Sequence, residues 1–216
     1  MTKWSKVIIA VMLLPFCLGA TNALIRVVRT MDVDTFWVPL LAGASCWIVI
    51  YALLPRPMWL YVFGHELTHA VWVWIFGGKV RRFKATSKGG QVVVTKNNAL
   101  ISLAPYFFPI YVLAIACLFS AGYVWFGWTR YLAYFHLLIG AAYAFHITLT
   151  AQVLQTRQTD LTRHGYFFSG VVIWLANVGF LVLGLPLMTP RVGLLTALGW
   201  CWIETGKVFQ RIGQIF

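Results

Sequence analysis

His65 and His69 stand four residues apart in the run His65-Glu66-Leu67-Thr68-His69. On an α-helix, side chains at positions i and i+4 project from one face, so the two imidazoles can bind one metal ion. A catalytic zinc ion takes three protein ligands and keeps its fourth position for water. Glu66, next to His65, points away from the ligand face and can act as the general base. The motif therefore predicts a zinc hydrolase site.

The residues on both sides of this motif are apolar and uncharged, from Met58 to Phe63 and from Ala70 to Phe76. Of the 216 residues, 61% are hydrophobic and 10% are charged, and the mean hydropathy is +0.80. Such a chain cannot present a polar surface on every side, which indicates an integral membrane protein. Histidine and glutamate inside a span cost on the order of a few kcal/mol and persist mainly for function. The setting thus favours a metal site.

Six segments are apolar and long enough to cross a bilayer, which takes roughly 20 helical residues. They lie near residues 7–25, 36–54, 57–77, 100–122, 131–154 and 167–187. The expected fold class is an all-α polytopic membrane protein, a single domain over residues 1–216 with a catalytic core of about 57–187. The tail from Pro190 to Phe216 mixes apolar and charged residues and predicts a C-terminal amphipathic helix.

A short β-hairpin is expected after the third segment, from Val80–Thr86 and Gln91–Thr95 joined by Ser87-Lys88-Gly89-Gly90. Its edge either pairs with an extended peptide and brings it to the metal, or the hairpin is only a connector. Pro105 and Pro109 interrupt the next segment, because proline removes a backbone donor and clashes with the preceding turn. A break at membrane depth indicates a cavity lined by protein.

The 17 Lys and Arg residues lie mostly at segment ends and, with 5 acidic residues, give a formal charge of +12. This pattern is typical of membrane orientation and lipid contact and argues against nucleic-acid binding. The basic hairpin region 79–98 is therefore expected in the cytoplasm, with the protein in a bacterial inner (plasma) membrane. Six alternating spans then put both chain ends outside, although Lys3 and Lys6 argue against that side. The first helix mimics a signal peptide but is expected to be retained.

Few acidic residues are available as the third metal ligand. Asp32 and Asp34 follow the first span and are expected to be solvated near Arg26 and Arg29. Asp160, between the fifth and sixth spans, is the best candidate, provided that the polar run from Gln152 to His164 dips into the interior.

Four other polar residues bear on the identity of the third ligand. His146, His164 and Glu204 stay open as alternative ligands. His136 and His146, both within the fifth span, are expected to be hydrogen-bonded histidines of the helical core.

With these residues in hand, the chain resembles the site-2 protease family of intramembrane zinc metalloproteases. The resemblance rests on the motif at His65 to His69, the helix end at Gly77-Gly78, the basic hairpin, the proline-broken helix and the later Asp160. It implies that Asp160 is the third zinc ligand and that the substrate is a membrane-spanning protein. Two positions depart from the family: Leu161 replaces a glycine, and Ala104-Pro105-Tyr106-Phe107-Phe108 replaces Gly-Pro-x-x-Asn.

The expected function is that of a zinc metalloendopeptidase cutting a membrane-spanning protein. Glu66 would be its catalytic base, and His65, His69 and Asp160 would hold Zn²⁺. The alternative is a metal-binding membrane subunit or scaffold without proteolysis. The sequence does not identify the substrate, its cleavage site, the regulation or the oligomeric state.

Overall fold

The computed structural model describes residues 2–214. It is 78% helical with one small two-stranded hairpin, which confirms the helical class. The helices are α1 (Lys3–Thr30), α2 (Val38–Leu53), α3 (Met58–Ile75), α4 (Ala99–Leu103), α5 (Ile110–Phe126), α6 (Leu132–Leu154), α7 (Thr159–Thr162), α8 (Tyr166–Gly184) and α9 (Leu194–Gly213). Strands β1 (Val80–Thr86) and β2 (Gly89–Val94) form the hairpin. The predicted tail helix is present as α9, and Ile215 and Phe216 lie outside the described residues.

Four helical stretches within residues 2–214 are long and apolar enough to cross a membrane. They are Lys3–Thr30, Val33–Leu53, Trp128–Leu154 and Tyr166–Met188. A fifth forms if Ala99–Tyr106 and Ile110–Phe126, which meet at a bend of 78°, count as one broken span. The proline-broken helix is thereby confirmed, and the long apolar helices are consistent with an integral membrane protein. Six spans are not confirmed, since α3 with its two histidines and glutamate is not in this set.

The chain forms two compact units, Met1–Asp32 with Thr159–Phe216, and Val33–Gln158. In the first unit, α1 and α8 run side by side in the same direction. Cys17 Sγ donates to the carbonyl of Val171 at 3.8 Å, and one turn further along both helices Trp174 Nε1 donates to Thr21 Oγ1 at 3.2 Å.

The ends of α1 and α8 agree with this direction. Lys6 Nζ, at the start of α1, donates to the carbonyl of Arg163, just before α8. Asp32, after α1, pairs with Arg191, after α8, at 2.8 Å. Lys6 therefore lies at the same end of this unit as Arg163, whereas the predicted topology put them on opposite sides of the membrane.

A cluster of charges joins α1 to α9 in the same unit. Glu204 accepts hydrogen bonds from Arg26 at 3.0 Å and from Lys207 at 2.8 Å, and the Arg26 guanidinium also stacks over Trp200. Arg26, expected near Asp32 and Asp34, pairs with Glu204, and Asp32 pairs with Arg191.

In the second unit, α2 and α6 also run in the same direction. The His136 imidazole meets the carbonyl of Thr35 at 2.8 Å near their starts. Trp47 Nε1 donates to Thr148 Oγ1 at 2.8 Å, and the Tyr51 hydroxyl meets Gln152 Oε1 at 3.2 Å near their ends.

Two helices that point the same way need an odd number of membrane crossings between them. The six alternating spans would place four crossings between α1 and α8 and two between α2 and α6. Both pairs would then be antiparallel, so this alternation is wrong within each unit.

The close approach of α2 and α6 depends on two glycines. A Cβ at Gly43 would collide with the backbone carbonyl of Leu137, and a Cβ at Gly140 would collide with that of Leu40. Small residues let helix backbones approach each other in membranes, where packing rather than water exclusion drives association.

We expect Gly140→Ala to destabilise the protein by about 1–3 kcal/mol, because the backbone of Leu40 cannot move aside cheaply. Gly170→Ala on α8 is the matched control, since nothing lies within 4 Å of its added Cβ. The measurement is thermal unfolding in detergent micelles by circular dichroism. Equal melting temperatures for the two variants would contradict the proposed α2–α6 contact.

Candidate metal centre

The helix that carries the motif is α3, as the sequence predicted. It begins after Pro57 and ends where Gly78 N donates to the carbonyl of Val73, with Gly77 in the left-handed region at φ +68°. Glycine adopts this conformation without strain, so Gly77-Gly78 stops the helix two turns beyond His69. The ordered helix fixes the spacing of the two histidines.

The two imidazoles lie on one face of α3. Their ring centroids are 5.0 Å apart with an interplanar angle of 78°. A zinc ion lies about 2.0–2.1 Å from a ligating nitrogen, so two ligand rings around one tetrahedral ion have centroids roughly 5 Å apart. The observed separation therefore fits a pair of ligands on a common metal ion.

His69 is held from the other side by the broken helix. Its Nδ1 lies 2.9 Å from the carbonyl oxygen of Ile101, on α4. Since a carbonyl only accepts, Nδ1 carries the proton, and Nε2 keeps its lone pair for a metal. A second hydrogen bond of this kind orients metal-ligating histidines in proteins.

The hairpin lies against α3 and covers Glu66. Phe83 on β1 packs edge-on against Phe63, with centroids 5.8 Å apart. A Cβ at Gly90 on β2 would lie 2.6 Å from Glu66 Oε1. Glu66 is only 8% exposed. The carboxylate thus occupies a space that exists because position 90 has no side chain.

The predicted hairpin is confirmed, with its second strand at Gly89–Val94 rather than Gln91–Thr95. β2 begins at Gly89 rather than Gln91, because Thr86 pairs with Gly89 in the antiparallel register. The connection shortens to Ser87 and Lys88. This shift brings Gly90 into the strand and places it next to the motif.

A small cavity lies between α3, the bend and α6. It is lined by Tyr61, Gly64, His65, Thr68, Pro105, Phe108, Ile110, Tyr111, Phe145 and His146. It leaves about 20 Å³ for the centre of a water molecule. A cavity at the proline break was expected, and its wall includes one of the motif histidines.

The two histidines of α6 differ in their surroundings. His136 is 2% exposed and bonds to the Thr35 carbonyl, as expected for a hydrogen-bonded core histidine. His146 is 8% exposed and lines the cavity beside His65, and its Nε2 has no hydrogen-bond partner among residues 2–214. Nε2 of His136 likewise has no partner in this part of the chain, so the difference between the two histidines is the cavity beside His146.

Asp160 belongs to the other compact unit, where it lies in the first turn of α7 and is partly exposed. It follows two residues after Gln158, the last residue of the unit that holds the motif. Its role as third ligand, and the entry of the run from Gln152 to His164 into the interior, stay predictions.

His164 lies four residues beyond Asp160, and both of its ring nitrogens are buried without a hydrogen-bond partner in the described part of the chain. Burial lowers the pKa of the His164 imidazole, Lys6 and Arg163 lower it further, and Asp160 opposes them. The ring is thus held in its neutral form, in which a nitrogen can bind a metal. His164 stays an alternative ligand.

Glu204 is a poor alternative because its carboxylate already binds two cations. The hydrogen bond from Lys207 holds the pKa of Glu204 below its usual value, burial opposes this, and the bond from Arg26 adds to the lowering. Both bonds reach the same oxygen, Oε1. Binding a metal here would break an existing ion-pair network.

Sequence reasoning missed two contacts of the motif, Gly90 on Glu66 and the Ile101 carbonyl on His69. The consecutive glycines Gly89 and Gly90 were interpreted as turn residues, although a glycine within a strand also signals close approach of another group. The Ile101 contact uses a backbone atom and leaves no mark in the sequence.

No family model, curated protein or solved structure matches this chain. The functional conclusion therefore depends on the residues of the motif and on their geometry.

Proposed function

We propose that this protein is an intramembrane zinc metalloendopeptidase that hydrolyses peptide bonds of a membrane-spanning protein. The observation that carries the proposal is the arrangement on α3. Two histidine rings converge at the spacing of metal ligands beside a buried glutamate, within an apolar segment. Polar groups of this kind are costly in such a segment and are retained mainly for chemistry.

His65, His69 and Asp160 would hold the ion, because two imidazoles and one carboxylate form a donor set that could bind a metal. The chain connects Asp160 directly to the unit of the histidines, since only Thr159 separates it from Gln158. A zinc ion bound there would act as a Lewis acid and lower the pKa of bound water to about 7.

Glu66 would take the proton that water loses when its oxygen attacks the peptide carbonyl. It would then pass this proton to the amide nitrogen as the C–N bond breaks, so that a carboxylic acid and an amine leave. Burial of the side chain next to Gly90 keeps it in one place for both transfers. The Ile101 carbonyl keeps the His69 ring in the required tautomer.

The hairpin is the proposed receiving surface for the substrate. A helical substrate hides its carbonyls in hydrogen bonds and must unwind before hydrolysis. Each strand of a two-stranded sheet has one open edge, and an extended peptide can add to such an edge. Because Gly90 lies beside Glu66, a peptide on this sheet would run close to the catalytic base.

The proposed topology has five crossings, with α3 inserted beside them rather than counted as a crossing. The crossings are α1, α2, the broken helix of α4 and α5, α6 and α8. The chain then crosses once between α2 and α6 and three times between α1 and α8. Both numbers are odd, as the parallel directions of these helix pairs require. We keep the basic hairpin 79–98 in the cytoplasm. This region contains six basic residues and no acidic residue, a charge pattern typical of the inner side of a plasma membrane. The six are Lys79, Arg81, Arg82, Lys84, Lys88 and Lys96.

Glu66→Gln should retain zinc and lose about 10²- to 10⁴-fold in hydrolysis, the usual contribution of a general acid–base group. The assay uses a fluorogenic single-span peptide in liposomes, and zinc is counted by mass spectrometry of the protein. Asp34→Asn, at an exposed position in the short helical segment that leads into α2, is the control and should behave as wild type.

Normal cleavage by the Glu66→Gln variant would remove Glu66 from the mechanism. Stoichiometric zinc in a wild-type protein that cuts no single-span peptide would instead favour the metal-binding subunit or scaffold.

Asp160→Asn should weaken zinc binding by at least about tenfold, because even partners of ligands contribute 10–100-fold to metal affinity. Glu204→Gln should leave the affinity unchanged, since that carboxylate is held by Arg26 and Lys207. Competition with a chelator measures both values. A loss with Glu204→Gln and none with Asp160→Asn would exchange the two assignments.

Gly90→Ala should lower the turnover number by about 10–100-fold while zinc stays bound. The added methyl group would push Glu66 Oε1 from its position, and a displacement near 1 Å can cost about 100-fold. Ser87→Ala, in the exposed turn of the same hairpin, should leave turnover unchanged. Equal turnover of the two variants would show that Glu66 works from another position.

A further inference from the structure

Hydrolysis consumes one water molecule per peptide bond, and an enzyme inside a lipid bilayer must have that water at hand. The cavity beside His65 has a size that matches this need. A site holds one water when about 10–15 Å³ is open to the centre of the molecule. The 20 Å³ found here therefore accommodates one water molecule.

His146 supplies the polar group that such a water requires. The residue is more than nine-tenths buried, it lines the cavity, and its Nε2 has no hydrogen-bond partner within residues 2–214. A buried nitrogen without a partner is unfavourable, so a water at this point satisfies it. His146 does not form a ligand group with His65 and His69 in the described part of the chain. Direct metal binding by His146 is therefore not the role that the geometry favours.

The hydroxyl groups in the cavity wall can complete the shell of this water. Thr68 donates to the Gly64 carbonyl at 2.8 Å, Tyr61 donates to Thr150 at 3.4 Å, and Tyr111 donates to the Leu60 carbonyl at 2.6 Å. Each hydroxyl already donates its hydrogen to one of these acceptors, and its oxygen can still accept a hydrogen bond. A water here can donate one hydrogen to His146 Nε2 and the other to a hydroxyl oxygen.

We infer that His146 is a positioning residue whose Nε2 holds one water molecule beside His65, as the store from which the hydrolytic water is replaced. This role rests on the proposed function. In each cycle the oxygen of the stored water ends in the new carboxyl group. One of its protons ends on the new amine after transfer through Glu66, and water from outside refills the cavity.

His136 provides a matched comparison on the same helix. It is also a buried histidine whose Nε2 has no hydrogen-bond partner within residues 2–214, but its Nδ1 donates to the Thr35 carbonyl and it does not line this cavity. Replacement of either histidine removes a buried imidazole from α6. Only replacement of His146 should remove a water from the neighbourhood of the motif.

The first experiment uses the full chain with ¹⁵N-labelled histidine in lipid nanodiscs, without added metal. Solid-state NMR measures magnetisation transfer from water protons to each ring nitrogen. We expect transfer to His146 Nε2 to build up several times faster than transfer to the nitrogens of His136. Absence of transfer at His146, or equal rates at the two residues, would overturn the inference.

The second experiment separates this role from a structural one. His146→Phe should lower the turnover number by about 10–100-fold with an unchanged KM and unchanged Zn²⁺ affinity. His146→Asn, which keeps a polar atom, should restore part of the loss, and His136→Asn should leave the turnover number unchanged. Wild-type turnover in His146→Phe would overturn the inference.

Failure of the proposed function has a different outcome. A wild-type chain that binds no Zn²⁺, or cuts no single-span peptide, contradicts the enzyme proposal. The NMR measurement on the metal-free protein still decides whether His146 binds water.

Discussion

The structure depends on one constraint: the imidazole and carboxylate groups of an apolar helix must have polar or closely packed partners. Two polar groups of the motif, His69 and Glu66, are held by elements outside α3, whereas Thr68 donates to the Gly64 carbonyl within the helix. The Ile101 carbonyl orients His69, and the strand at Gly90 closes over Glu66. Without these contacts, imidazole and carboxylate groups at this depth would be too costly to keep. The hairpin and the broken helix are therefore structural parts of the candidate site.

The same constraint explains why α3 is not among the helices that qualify as membrane spans. Its two histidines and one glutamate lower its hydropathy, whereas α1, α2, α6 and α8 carry few such groups in their apolar stretches. A segment of this kind is stable when protein rather than lipid surrounds it. The parallel directions of α1 with α8 and of α2 with α6 agree with the proposed topology, in which α3 does not count as a crossing.

The parallel pairs also remove a difficulty in the charge pattern. Lys3 and Lys6 opposed the predicted orientation as long as they were assigned to the side opposite Arg163. In the structure Lys6 donates to the carbonyl of Arg163, so the basic residues at this end of the unit belong together. In the proposed five-crossing topology, the positive-inside rule then needs no exception for the start of the chain.

Local patterns in the sequence were enough to predict α3, the hairpin and the proline break, because each depends on residues close to one another in the chain. Helix direction was not predictable in this way, since a single segment miscounted as a span reverses the expected direction of every later helix. The contact of Gly90 with Glu66 depends on how a strand packs on a helix, and the contact at His69 depends on a backbone oxygen. The sequence indicates a core histidine or reserve ligand at His146, but only the fold shows that it lines a water-sized cavity and that its Nε2 has no partner within residues 2–214.

The bend at Pro105 and Pro109 has a mechanical consequence. Its first arm grips α3 through the Ile101 carbonyl at His69, and its second arm grips α3 through the Tyr111 hydroxyl at the Leu60 carbonyl. One contact lies before the motif, at Leu60, and the other lies at its last residue, His69. A change in the 78° angle between the arms would therefore rotate the His69 ring relative to His65, so that a force applied to the distant end of α5 would shift these two histidines.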